Sequence, residues 1–390
     1  MTAVLLVALL SADAPDAADL ARGIKAAARR AANALIDRQN EDGGYGPRID
    51  GKSNLGITGL VVWALAESPA KYREWDGPFI SKAVDYLLAH QKETGGIHDD
   101  GLWVYTTSIG VMALRAAGAE KNKAQIEKAV AFLAGQQLSE DSRPGYEQAK
   151  HVSYGGWGYG TDRRADLSNT QFAMEALGES GVAADSPIWK RSQVFLRRTQ
   201  NSCDSNDAIK DGLIAGWGTN DDGGMLYRPG EGKIEPRKLQ DGTWQHSSYG
   251  SMSYSGLKSF IYAGADRNSV EMKKLWKWLC TNYTVEDNPG MATPDNPAQG
   301  KQGLYYYYRA MAKALLLWGE SRVPTPAGSR PWASDLAAKL LALQNADGLW
   351  ENRDENRWWE GIPEISTSYA ILALRDCGEA LAKEKPAEAK

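Results

Sequence analysis

Asp166 heads the stretch of this chain whose residue types and spacing could do chemistry, Asp166-Leu167-Ser168-Asn169-Thr170-Gln171. A carboxyl serves as a general acid when held protonated and as a helix cap when ionised. Phe172, Ala173, Ala176 and Leu177 follow at helical spacing. Ser168 and Gln171 read as a capping box, so the spacing predicts a helix beginning near Ser168. Asp166 then sits at the positive end of that helix dipole, beside Arg163 and Arg164, which favours the ionised form. Two readings stand: a cap or loop carboxylate, and a catalytic group.

Aromatic residues supply the second candidate chemistry, a wall for an apolar ligand. The chain holds 14 Trp and 17 Tyr against five Phe, and these side chains pair a flat apolar face with a polar handle. Trp157, Tyr159, Trp217, Tyr249, Tyr254, Tyr305 and Tyr308 are the expected cavity residues. Tyr305 to Tyr308 run in succession at the start of a helix, so about two of the four should point inward. Asp221-Asp222-Gly223-Gly224 reads as a turn, with a cation or sugar-hydroxyl contact as the alternative.

Neither a metal nor a cofactor is expected. Four histidines (His90, His98, His151, His246) and three scattered cysteines (Cys203, Cys280, Cys377) form no metal-ligand spacing and no disulfide framework.

The elements that must position these residues repeat along the chain. Six times a helix ends near a glutamine or its equivalent, a glycine-aromatic turn follows, and a second helix begins. Ala34 to Gly46 with Gly56 to Ser68 is the first copy; Ala337 to Trp350 with Ser366 to Gly378 is the last. Each second helix is apolar nearly all round, as an inner helix must be, whereas first helices carry charge on one face, as in Arg197-Arg198. Such units stack to bury their faces. The expected fold is all-α, an (α/α)6 barrel of six helix hairpins, with inner helices starting near Ser53, Tyr105, Ser168, Met252, Leu304 and Ser366. Long insertions at 139–160, 202–250 and 284–303 are expected to rim one mouth.

One barrel is expected over 23–382, preceded by a signal-like or irregular tail over 1–22 and followed by a charged tail over 383–390. The apolar run Val4 to Leu10 resembles the core of a secretory signal but lacks a basic start. Localisation is thus open between export and the cytoplasm. A net charge of −4 without a basic block argues against a nucleic-acid partner. Oligomeric state is not legible.

Gln344-Asn345-Ala346-Asp347-Gly348-Leu349-Trp350 resembles the QW repeat of squalene and oxidosqualene cyclases, and Gln39 to Tyr45 resembles it with Tyr for Trp. The repeats are also similar to those of protein prenyltransferase β subunits. The resemblance implies one α/α barrel, a structural role for Gln39, Gln91, Gln344 and Trp350, an isoprenoid-type apolar ligand (polyprenyl or triterpenoid) and a peripheral membrane contact. It also implies an acid: the cyclase motif D-x-D-D-T-A falls on Asp166 to Gln171, where only the first Asp and the Thr match and Ser168 occupies the position of the proton donor. The zinc-holding D-x-C of the prenyltransferases has no match. A carbohydrate-active α/α barrel and a non-catalytic scaffold stay as alternatives.

Overall fold

A computed structural model describes residues 17–99, 101–160 and 164–383. The apolar run at Val4 to Leu10, Arg163 and the tail after Lys383 lie outside the described residues. Among the described residues, twelve long helices alternate in role. The outer ones are α1 (Ala17–Ile36), α3 (Pro78–Ala89), α5 (Lys123–Gly135), α7 (Pro187–Thr199), α9 (Val270–Thr281) and α11 (Trp332–Leu343). The inner ones are α2 (Leu55–Glu67), α4 (Trp103–Gly118), α6 (Leu167–Glu179), α8 (Gly250–Tyr262), α10 (Leu304–Trp318) and α12 (Pro363–Lys383). Helix α1 starts ahead of the expected boundary at residue 23, and inner helices begin within three residues of the expected starts.

Outer helices bury one stripe. In α1 this is Leu20, Ile24, Ala27, Ala28, Ala31 and Leu35, the three-and-four spacing of a helix with one wet side. Inner helices are buried along nearly their whole length, as in α2 from Ile57 to Ala66. Each inner helix packs on the next, and α12 packs back on α2. The first outer helix likewise touches α11 and α12.

Glutamine side chains tie these layers together. Gln39 Nε2 donates to Gly43 O in its own turn and to Phe79 O at the start of the next outer helix, both at 2.8 Å. Gln91 does the same to Gly95 and Gln125, Gln137 to Gly155 and Ile188, Gln200 to Gly223 and Glu271, and Gln344 to Gly348 and Ala27. Gly155 shows why the turns need glycine. Its φ is +83°, and a Cβ there would meet Arg191 O at 1.9 Å. A hydroxyl one turn into the inner helix completes the joint: Thr58, Thr107, Thr170, Ser253 and Thr367 each accept the N–H of a turn residue.

Two expectations are corrected here. Arg198 is buried, not on an outer wet face, because its guanidinium holds Asp207 at 2.7 Å and the carbonyls of Gln148 and His151. Inner helices are not apolar all round. On α6, Glu175 and Glu179 meet Lys258 of α8 and Arg309 and Lys313 of α10, and Arg309 reaches Asp376 of α12. Arg375 then links Asp376 to Glu67 of α2. Four cations thus face four anions between the inner helices. Arg309, Lys258 and Lys313 outweigh burial and hold the Glu175 carboxyl far below its ordinary range, while burial pushes Lys258 down to about 8. Among the described residues no helix is long and apolar enough to cross a membrane.

Candidate functional site

The six inner helices begin around one cavity of about 410 Å³. Asn54, the N-cap of α2, and Ile57 of α2 wall it, with Tyr105 from α4, Ser168 from α6, Met252 from α8, Tyr306 from α10 and Tyr369 from α12. The connecting segments add Tyr159, Tyr227, Lys233, Tyr249, Trp358, Trp359 and Glu360. Six tyrosines therefore share one space. Their hydroxyls are largely occupied by one another and by the inner helices: Tyr105 with Tyr369 at 2.9 Å, Tyr159 with Tyr227 at 3.0 Å, and Tyr306 accepting from Gln171 Nε2 at 3.2 Å. Tyr306 stands edge-on to Tyr369, with ring centroids 5.9 Å apart. With the polar tips occupied, ring faces and edges are left to meet a ligand, and such faces attract cations.

Asp166 lies outside this lining. It is fully buried and is the N-cap of α6, where Oδ1 accepts from Asn169 N at 2.8 Å and Oδ2 from Asn169 Nδ2 at 2.9 Å. The cap is thus Asp166 with Asn169, and the expected capping box of Ser168 and Gln171 does not form. Ser168 and Gln171 turn inward to Tyr306 instead. Arg164 pairs with Glu231 at 2.5 Å, and the cation beside Asp166 is Arg228 at 3.9 Å. Burial wins over this cation and the cap bonds and pushes the Asp166 carboxyl up to about 6, not down as the dipole and arginines predict.

A second carboxyl, unsuspected from the sequence, belongs to the cavity wall. Glu360 closes the open N-terminal turn of α10, accepting from Tyr306 N and Asn352 Nδ2, both at 2.8 Å. Burial pushes it up to about 7 against those donors. Its signal is Trp358-Trp359-Glu360, an acid directly after two aromatics in the polar link that leads into α12. Trp358 and Trp359 have φ of 63° and 65°, a left-handed conformation costly for bulky side chains. Both are exposed at the mouth, where Trp358 packs over Gly303.

The expected aromatic residues divide. Tyr159 and Tyr249 line the cavity. Trp157 does not: it is buried in the turn and donates Nε1–H to Leu133 O at 2.7 Å, as Trp350 does to Leu340 O. Trp217 lies in a small three-stranded patch of the 200–250 segment (Trp217–Gly218, Arg237–Lys238, Trp244–Gln245). Tyr254 packs against Tyr307, and Tyr305 against Tyr308, whose hydroxyl is spent on Val285 O. Of the four successive tyrosines only Tyr306 lines the cavity, because one turn of α10 presents one position in four to the axis.

No protein-family model matches this sequence, and no curated protein matches it. Among solved structures, the chain is similar to the type II terpene cyclase MstE from Scytonema. The form in complex with geranylgeranyl dihydroxybenzoate, its substrate, gives a TM-score of 0.55 at 14% identity, covering 93% of this chain and 99% of that one. The form in complex with the product merosterolic acid A gives 0.54 at 14% identity, with the same coverage. An unsaturated glucuronyl hydrolase specific for heparin gives 0.52 at 15% identity, over 92% of this chain and 97% of that one. The helical architecture is shared with α/α-toroid enzymes. At these identities the likeness is one of fold.

Proposed function

We propose that this protein is a terpenoid-cyclase-like closed (α/α)6 barrel, a single domain with QW-type joints, whose cavity holds the apolar chain of an isoprenoid. The observation that carries this reading is the six-tyrosine wall whose hydroxyls are largely occupied. Such a wall offers little to a sugar, which needs free polar partners for each hydroxyl. Glycoside hydrolysis commonly also needs two carboxyls facing the substrate, and among the described residues Glu360 is the one carboxyl in this lining. The volume lies at the lower end of the range for small-molecule pockets, about 300–1,000 Å³, which favours a shorter polyprenyl chain over a triterpenoid. The MstE ligand carries a geranylgeranyl chain, and the similarity of fold supports the same class here.

Catalysis is a smaller part of the proposal. Asp166 acts as a cap whose carboxyl is removed from the ligand by the lining, and Ser168 cannot donate a proton to an alkene. Extraction of the purified protein followed by mass spectrometry tests the reading: a co-purifying or tightly bound polyprenyl compound is expected. A protein that takes up oligosaccharides and no polyprenyl chain would overturn it.

A further inference from the structure

Lys233 is a cation that lines the cavity without an ion-pair partner among the described residues. Its side chain is half-buried, its ammonium sits 3.4 Å from the centroid of the Tyr227 ring, and among the described residues it makes no ion pair. Two carboxylates attract it without pairing: Glu231 is already bound to Arg164, and Asp166 is the buried cap of α6 held by Asn169. A second cation stands beside it. Arg357 donates to Gln302 Oε1 at 2.9 Å and to the backbone carbonyl of Lys233 at 3.4 Å, lies over Trp358, and has no carboxylate within ion-pair distance among the described residues. Burial and the charges of Arg228 and Arg357 all work against the Lys233 ammonium, and the lysine is held below its ordinary range. A half-buried charge in such a place is unfavourable unless something neutralises it.

We infer that Lys233 and Arg357 form a head-group site at the mouth of the cavity, which selects a polyprenyl chain ending in an anion, carboxylate or phosphate, over a neutral one. Both cations belong to the mouth, Lys233 in the lining and Arg357 directly before Trp358 and Trp359, whereas the body of the cavity is walled by tyrosine rings. An amphipathic ligand entering tail first leaves its head between these two side chains. Lys233 supplies a mobile point charge and Arg357 a planar fork, a combination that suits the oxygens of either acid. This inference rests on the isoprenoid reading of the cavity.

The test is binding of three ligands with one tail: geranylgeraniol, geranylgeranoic acid and geranylgeranyl diphosphate, followed by tryptophan fluorescence or calorimetry. The wild type is expected to bind at least one anionic ligand about tenfold or more tighter than the alcohol, as one charge-assisted contact implies. That preference should weaken with added salt. It should fall to about threefold or less in Lys233→Met combined with Arg357→Gln, with the far-ultraviolet circular dichroism unchanged. Which acid gains more distinguishes carboxylate from phosphate. Equal binding of all three ligands by the wild type, or a preference that survives in the double variant, overturns the head-group site while leaving the isoprenoid reading intact. Binding of none of the three overturns both.

Discussion

The same six inner helices build two unlike regions. Where they begin, glycine turns and links bring aromatic rings around a hollow; further along, charged side chains from α2, α6, α8, α10 and α12 meet and fill the space between helices. The first region leaves room because, Glu360 and Lys233 apart, its polar groups are mostly tyrosine hydroxyls and helix-start N–H groups, which can be paired at the wall. The second has none to leave, since Glu175 and Asp376 must touch their cations to be buried at all. The two should therefore respond to mutation by different amounts and to acid in opposite directions.

Breaking the charged region is expected to have the largest effect. Arg309→Ala leaves Glu175 and Asp376 buried without their shared partner and should cost about 3–5 kcal/mol, read as a lower urea midpoint at unchanged m-value. A loss under about 1 kcal/mol would mean that water reaches the network.

Titration separates the two regions next. Glu360 has its carboxyl pushed from an ordinary 4.5 up to about 7, so the folded state holds the proton more tightly than the unfolded chain does. Its contribution is fully present below about pH 4.5 and is lost as pH rises to about 7. Glu175 is held low, so its contribution is present above pH 4.5 and is lost on acidification. Glu360→Gln should remove the fall between pH 4.5 and 7, making the variant gain on the wild type by roughly 2–3 kcal/mol across that interval. Denaturation midpoints at pH 5 and pH 8 measure it, and parallel wild-type and variant curves would refute the burial of this carboxyl.

Within the cavity, Tyr306→Phe removes one hydroxyl that Gln171 donates to and should cost about 1 kcal/mol while leaving affinity for geranylgeraniol within about twofold. Tyr306→Ala should lower that affinity about tenfold, through the lost ring face. Equal binding by Tyr306→Ala and the wild type would move the ligand elsewhere.

The smallest effect is expected at Asp166. Asp166→Asn changes a cap and should cost about 1 kcal/mol or less. Neither form should give more than little cyclised product from squalene or a shorter polyprene. Robust turnover by the wild type, abolished in Asp166→Asn with the fold intact, would make this carboxyl the acid.

Helix order was legible in the sequence because its signals are local. A glutamine, a glycine and an apolar period lie within twenty residues of one another, and their hydrogen bonds form at those spacings. The cavity was legible only in part, for physical reasons that differ by residue. Trp157 and Tyr159 are two apart in one turn, yet one indole is spent on Leu133 O and one phenol faces the hollow. Glu175, Lys258, Arg309 and Asp376 are spread over some two hundred residues, and on any single helix each reads as one polar interruption. The cap role of Asp166 is legible but its charge state is not, because charge and dipole can be read from neighbours, whereas burial cannot. Burial proved the larger influence.

The meeting of α1 with α11 and α12, fastened by Gln344 to Ala27, carries a consequence for chain connectivity. Described residues at either extreme of the sequence are spatial neighbours, and Gly378 of α12 lies against Ile24 of α1. The order in which the hairpins are translated is then a matter of where the polypeptide happens to be cut. A circular permutant joined across α12 and α1 by a flexible linker, and opened in the exposed turn at Asp241-Gly242, should fold to the same architecture.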